Sequence, residues 1–119
     1  MEVEISCEFC GGKMYLIERD RVRSKVVFRC ERCRKELVID WIRIARKPKS
    51  AYISAALHAL TSQRHVCLSA VGVRKELLLS ILSDLVALAE PIVSYFMDVG
   101  GGAKEAGFVL RAKGGVVFE

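Results

Sequence analysis

The chain has 119 residues, 52% of them apolar, and a formal net charge of +5 from 19 Lys/Arg against 14 Asp/Glu. That length bounds it to one or two small domains, each near the size at which a metal or a partner subunit is needed as a staple. No apolar run reaches the roughly 18 residues of a membrane span, and no Ser/His/Asp set, paired-carboxylate motif or phosphate-cradling glycine loop is present, so no enzyme is expected.

Charge is unevenly spread. Residues 1–49 hold thirteen Lys/Arg and eight Asp/Glu, whereas residues 50–119 hold six of each. The whole basic surplus lies in the first part, which fits an anionic partner. The N-terminal stretch MEVEISCEFC is acidic where a signal peptide would be basic and then apolar. A cytoplasmic place is therefore expected. Five cysteines in a reducing compartment argue for metal or free thiol over a disulfide framework.

The first elements form around Cys7, Cys10, Cys30 and Cys33, spaced C-x2-C-x19-C-x2-C. Two residues between cysteines let a tight turn aim both sulfurs at one metal, and two such turns complete a tetrahedron of thiolates. One structural Zn2+ per chain is expected. Iron suits the same four sulfurs, so the spacing leaves that rival open. With all four positions taken by protein, no open site remains for water activation. Gly11 and Gly12 follow the first pair, where a knuckle turn requires positive φ. Tyr15 to Glu18 and Lys25 to Phe28 read as a hairpin, and Leu37 to Ile44 as a third strand. Residues 1–37 are thus a zinc ribbon. Between Arg19 and Lys49 stand twelve Lys/Arg and four Asp/Glu. Arg19, Arg21, Arg23 and Lys25 alternate along the hairpin and are expected to share one face. Arg32, Arg34 and Lys35 surround the second cysteine pair. These residues are candidate phosphate contacts; the rival reading is a solvated face that neutralises an anionic metal centre.

Residues 38–119 read as a second, α+β domain. ELVIDWIRIA is a strand. Pro48 opens a helix carrying Tyr52, Ala55, Ala56, Ala59 and Leu60 at helical spacing. His65 to Ala70 is a buried strand, Gly72 a turn, and Arg74 to Ala89 a long, largely apolar helix stopped at Glu90-Pro91. Ile92 to Val99 and Phe108 to Ala112 are strands joined by GGGAKEAG, and a tail follows from Lys113 to Phe118. The order β-α-β-α-β-β implies a two-layer sandwich of two helices on a four-stranded sheet.

The run WIRIARKPKSAYISAALHALTSQRHVCLSAVG resembles the first half of Alba, the archaeal chromatin protein family. The resemblance covers roughly residues 38–113 and leaves the ribbon outside. It implies a nucleoid-associated dimer that binds DNA or RNA with little sequence preference. The phosphate-contacting role then falls on Arg46 and Lys47, with Lys49 nearby. The family's dimer interface, on its second helix and last strands, maps to Leu78, Leu82, Leu85 and Phe96, and the partner is a second copy or an Alba relative. Two departures weaken the grip: the family's A-R-G turn is here Ala70-Val71-Gly72-Val73, and its long hairpin shrinks to Gly100–Gly107. The ribbon arginines are expected to substitute. The alternative is a protein–protein assembly module with the ribbon as docking surface. Among single residues, Cys67 is expected in the core. His58 and His65 are expected in surface or capping roles. Trp41 is expected to anchor the two parts, with base stacking its rival role.

Overall fold

Among the described residues, seven strands and two helices form in chain order: β1 (Glu4–Ser6), β2 (Lys13–Asp20), β3 (Lys25–Cys30), β4 (Glu36–Arg43), α1 (Lys49–Gln63), β5 (His65–Val71), α2 (Lys75–Leu85), β6 (Ala89–Asp98) and β7 (Lys104–Ala112). A 3-10 turn at Gly72–Arg74 leads into α2. The computed structural model describes residues 3–114, apart from the side chain of Val73. The expected tail therefore lies, past Gly114, outside the described residues.

All seven strands belong to one sheet, in the order β1-β2-β3-β4-β5-β7-β6. The pivotal strand is β4. It pairs antiparallel with β3, from Lys25↔Asp40 to Arg29↔Glu36, and parallel with β5, from Asp40↔Val66 to Arg43↔Ser69. The sheet curls until β1 approaches β6 and the barrel is nearly closed.

This overturns the expected fold class. In place of a zinc ribbon followed by an Alba-like β-α-β-α-β-β two-layer sandwich, the chain is mostly β, a nearly closed mixed barrel-like sheet with two helices. The ribbon strands are built into that sheet, and the boundary expected between residues 37 and 38 falls inside β4. The physical reason is side-chain alternation along strands that share one ladder. Ile39 and Trp41 of β4 face inward with Val26 and Phe28 of β3, Cys67 of β5, Tyr95 of β6 and Val109 of β7. A sandwich of residues 38–112 alone would leave that face, with Trp41, in water. Burying Trp41 and Phe28, each 2% exposed or less, is worth several kcal/mol by area, on the order of 1.5–3 kcal/mol for each large apolar side chain. The ribbon strands supply the cover.

The opposite face, across β4, β5 and β7, carries the helices. Ile44, Val66, Leu68, Leu110 and Ala112 meet Tyr52, Ala56, Ala59 and Leu60 of α1 and Leu78, Ile81 and Leu85 of α2. The alanines let α1 lie close to the sheet. As expected, β5 is central, and all of it except Val71 is buried. Helix α2 ends at Leu85, earlier than the expected Ala89, and β6 begins at Ala89 and contains Pro91. Pro91 is therefore no helix stop. It sits on the outer strand next to a bulge between Pro91 and Val93, where a missing N–H costs no ladder bond.

A chain of polar groups threads the barrel interior. Trp41 Nε1 donates to Ser69 Oγ at 2.8 Å. The Arg19 guanidinium lies 4.5 Å from the Trp41 ring centre and is ion-paired with the buried Glu105. Tyr95 Oη donates to Glu105 Oε2 at 3.1 Å and lies 3.6 Å from Cys67 Sγ. Burial opposes the Arg19 charge, but the hydrogen bond and negative charge of Glu105, with a contribution from Tyr95, together outweigh it and raise the Arg19 pKa. Burial pushes the Cys67 thiol up to about 12, so this cysteine is an inert core residue, as expected. Tyr95 fits because its cross-strand partner is Gly107; a Cβ there would fall within the Tyr95 ring. Gly107→Ala is therefore expected to displace Tyr95 from Glu105 and to destabilise the protein by about 1–3 kcal/mol or more, read from urea unfolding.

Candidate metal centre and basic cleft

Two knuckles of the same build bring the four cysteines together. In the first, Cys7 N–H donates to Gly12 O at 2.8 Å and Gly11 N–H to Cys7 O at 3.0 Å. In the second, Cys30 N–H donates to Lys35 O at 2.9 Å and Arg34 N–H to Cys30 O at 3.1 Å. Each turn needs a left-handed residue four positions after its first cysteine. Gly11 supplies it at φ +74° and Arg34 at φ +66°. Gly12 serves otherwise: a Cβ there would press on the Cys30 and Cys10 sulfurs at 3.2 and 3.3 Å.

The Sγ atoms of Cys7, Cys10, Cys30 and Cys33 all lie within 4.8 Å of one another. Cys7 and Cys33 are 3.7 Å apart, and Cys10 and Cys30 are 3.4 Å apart. A tetrahedron with metal–sulfur bonds of about 2.3 Å has edges of about 3.8 Å, so this cluster can hold one metal ion. Backbone amides prepare the thiolates. The Cys33 N–H pulls the Cys30 thiol down to about 6, and the Cys10 N–H lowers Cys7. The Lys35 N–H pulls Cys33 the same way, but burial and hydrogen bonds to the other sulfurs push that thiol up to about 11. Three of the candidate phosphate contacts lie at this end. Arg32 donates to Cys10 O at 3.4 Å, and the Lys35 ammonium sits 3.8 Å from the centre of the Phe9 ring. Arg34 is exposed.

The remaining candidates divide. Arg19, Arg21, Arg23 and Lys25 do not share a face. Arg19 serves Glu105 inside the barrel, and Lys25 is ion-paired with Asp40. Arg21 and Arg23 are exposed in the β2–β3 turn, where Arg23 lies 3.7 Å from Asp20 and the Asp20 carboxylate accepts both the Val22 and Arg23 N–H. Lys49 bridges to Asp84 and Ser80 on α2, each at 2.7 Å. Arg46 and Lys47 are exposed in a pinned loop, because Tyr52 Oη accepts Ala45 N–H at 2.7 Å and Lys47 N–H at 3.0 Å.

The mouth of the barrel opposite the cysteines gathers cations that are distant in sequence. A cleft of about 340 Å³ opens there beyond the ends of the parallel strands β4 and β5, and Arg21, Arg43, Arg46 and Arg74 line it. Arg43 is fixed by the Arg21 carbonyl at 3.1 Å and by the Trp41 ring at 5.0 Å. Arg74 is fixed by the Ala45 carbonyl at 2.9 Å. Sequence reasoning did not single out Arg43 and Arg74 as contacts. The one available signal was the parallel β4-α1-β5 crossover, since ligands gather at the carboxyl ends of such strands and in barrel mouths.

Trp41 is 2% exposed and its Nε1 is engaged, so it is an anchor and no stacking surface. His58 is exposed on α1, whereas His65 is buried in β5 beside Glu8. Of the expected dimer residues, Leu78 and Leu85 are spent in the chain's own core, Leu82 is half-buried and Phe96 is exposed. The exposed large residues of the α2 region are Leu79 and Val86. No helix among the described residues is long and apolar enough to cross a membrane.

Two outcomes follow for the metal centre. Cys30→Ser should abolish metal retention and cost on the order of several kcal/mol of stability, read by metal analysis and thermal melting. Metal binding displaces the thiol protons, so protons compete with the metal for all four sulfurs, and acidification should release it, seen with a chromogenic chelator. Compared with known protein families and with curated proteins, the chain matches none.

Proposed function

We propose that this protein is a zinc-stapled, non-catalytic binder of nucleic acid that holds DNA or RNA through its phosphates, with little regard to sequence. The carrying observation is the convergence of Arg21, Arg43, Arg46 and Arg74 on one cleft. The one carboxylate that lines the cleft among the described residues, Glu105, is already matched by Arg19. Four guanidinium groups thus face the cleft without a neutralising partner among the described residues, and an anion relieves their mutual repulsion. Arg23 and Lys47 extend the basic surface on either side. Counterion release would drive binding, so affinity should fall steeply with salt.

Zinc is the metal this reading assigns to the four thiolates. Closed S4 coordination and the amide-supported knuckles favour a structural ion without redox work. Metal analysis of purified protein should return one zinc per chain; iron would announce itself by a coloured thiolate centre and would replace zinc in this account.

Arg21 and Arg46 are exposed and carry no fold-supporting side-chain bond, so they are clean probes of the cleft. Arg21→Gln with Arg46→Gln should leave thermal stability unchanged. The same double variant should lower the slope of log affinity against log salt by about 2, measured with short DNA and RNA by fluorescence anisotropy. Arg34→Gly removes a charge at the metal end and relieves a left-handed arginine. It should be stability-neutral or stabilising by about 1 kcal/mol and should change affinity far less than the cleft pair. The reverse ranking, with the knuckle variant dominating, would move the binding surface to the metal end. Intact, folded protein that binds no nucleic acid at low salt would sink the reading.

A further inference from the structure

The cleft at the barrel mouth has a shape and a charge that select among phosphates. Its floor is closed: Ser69, Ala70, Ile44 and Glu105 line it and are each 5% exposed or less. Its rim is cationic and exposed at Arg21 and Arg46. A volume of about 340 Å³ lies at the small end of the range for sites that take small molecules, about 300–1,000 Å³. That volume suits a single nucleotide rather than a run of strand.

Charge narrows the ligand further. An internal phosphodiester carries one negative charge, whereas a phosphate monoester carries about −1.5 to −2 near neutral pH and three acceptor oxygens. Arg43 and Arg74 are held in place by the Arg21 and Ala45 carbonyls, so two forks are preorganised before any ligand arrives. They belong to different elements, the end of β4 and the turn before α2, and meet only at this cleft. Below them, Glu105 is 3% exposed and is held through Oε2 by Arg19 and Tyr95. A carboxylate at the floor can accept from a hydroxyl or amino group that reaches it.

We propose that the cleft is a site for a nucleoside phosphate monoester, held at the rim by Arg43 and Arg74 with Arg21 and Arg46 around it, and with a sugar hydroxyl or base amino group directed to Glu105. Such a group occurs at the phosphorylated end of a single strand and in a free mononucleotide. This inference rests on the nucleic-acid reading for the strand end and on the cleft alone for the free nucleotide. Phosphate at a strand end makes the protein an end-binder in addition to a backbone-binder.

The test compares short single-stranded oligonucleotides that differ only at their ends: unphosphorylated, phosphorylated at the 5′ end, and phosphorylated at the 3′ end. Adenosine monophosphate and inorganic phosphate serve as competitors, and the zinc-loaded full chain is used throughout. A terminal phosphate at one end should tighten binding about tenfold, the effect of roughly one good charge-assisted contact pair. Arg43→Gln with Arg74→Gln should erase that preference, so that phosphorylated and unphosphorylated strands bind alike at whatever affinity remains. If that variant melts early, Arg74→Lys alone keeps the charge, loses the fork and should reduce the preference by itself. Equal binding of all strands, with a normal salt slope, would overturn the end-binding inference and leave the proposed function standing. Binding of adenosine monophosphate without any strand would support the monoester site and overturn the strand reading. Competition by inorganic phosphate as strong as by the nucleotide would overturn the nucleoside part. Absence of binding to every probe would overturn both.

Discussion

Strand β4 is hydrogen-bonded along both edges, and the architecture depends on that. Its antiparallel edge commits it to the cysteine-bearing hairpin, and its parallel edge commits it to β5 and, through α1, to the helical layer. A strand paired on both sides presents two faces, each of which must be covered. Ile39 and Trp41 point into the barrel, while Ile42 packs toward the helices. The hairpin and the helical segment are thereby forced into one cooperative unit with two cores back to back.

The two ends of the barrel carry opposite chemistry. At one end four sulfurs converge, at distances that suit a metal tetrahedron. A metal ion held there would cross-link the two turns and stabilise that end. At the other end arginines replace the sulfurs, and there the strand ends are tied by side chains to carbonyls: Arg43 to Arg21, and Arg74 to Ala45. The cysteines close one end, and the opposite mouth is open and charged.

Between them runs the polar chain Cys67–Tyr95–Glu105–Arg19–Trp41–Ser69. A buried carboxylate is tolerable only when paired and hydrogen-bonded, and Glu105 is both. Removing either partner would leave a charge in a low-dielectric interior, so this network fixes how the β2 side of the barrel docks on β7. It also explains why Arg19, part of the basic run in the sequence, is withdrawn from the surface: the bulge between Leu16 and Glu18 shifts the alternation of β2 by one residue, so Arg19 falls opposite the inward Val26, and the turn carries residues 21 and 23 out.

Local patterns were enough for everything that depends on short range. The doubled Cys-x2-Cys spacing, the hairpin between the pairs, α1 after Pro48, the buried strand at residues 65–70 and the inert place of Cys67 were all legible, because turn chemistry and apolar periodicity act over a few residues. What tertiary structure decided was pairing. Nothing local in Glu36–Arg43 says that both its edges are used, so a two-layer sandwich was expected where a nearly closed barrel forms. The same long-range pairing spends Leu78 and Leu85 in the chain's own core and gives Arg19, Lys25 and Lys49 to Glu105, Asp40 and Asp84. It also brings Arg21, Arg43, Arg46 and Arg74 to one mouth. Sequence determined which charges and ligands the chain has; sheet closure, a long-range cooperative choice, decided which of them meet.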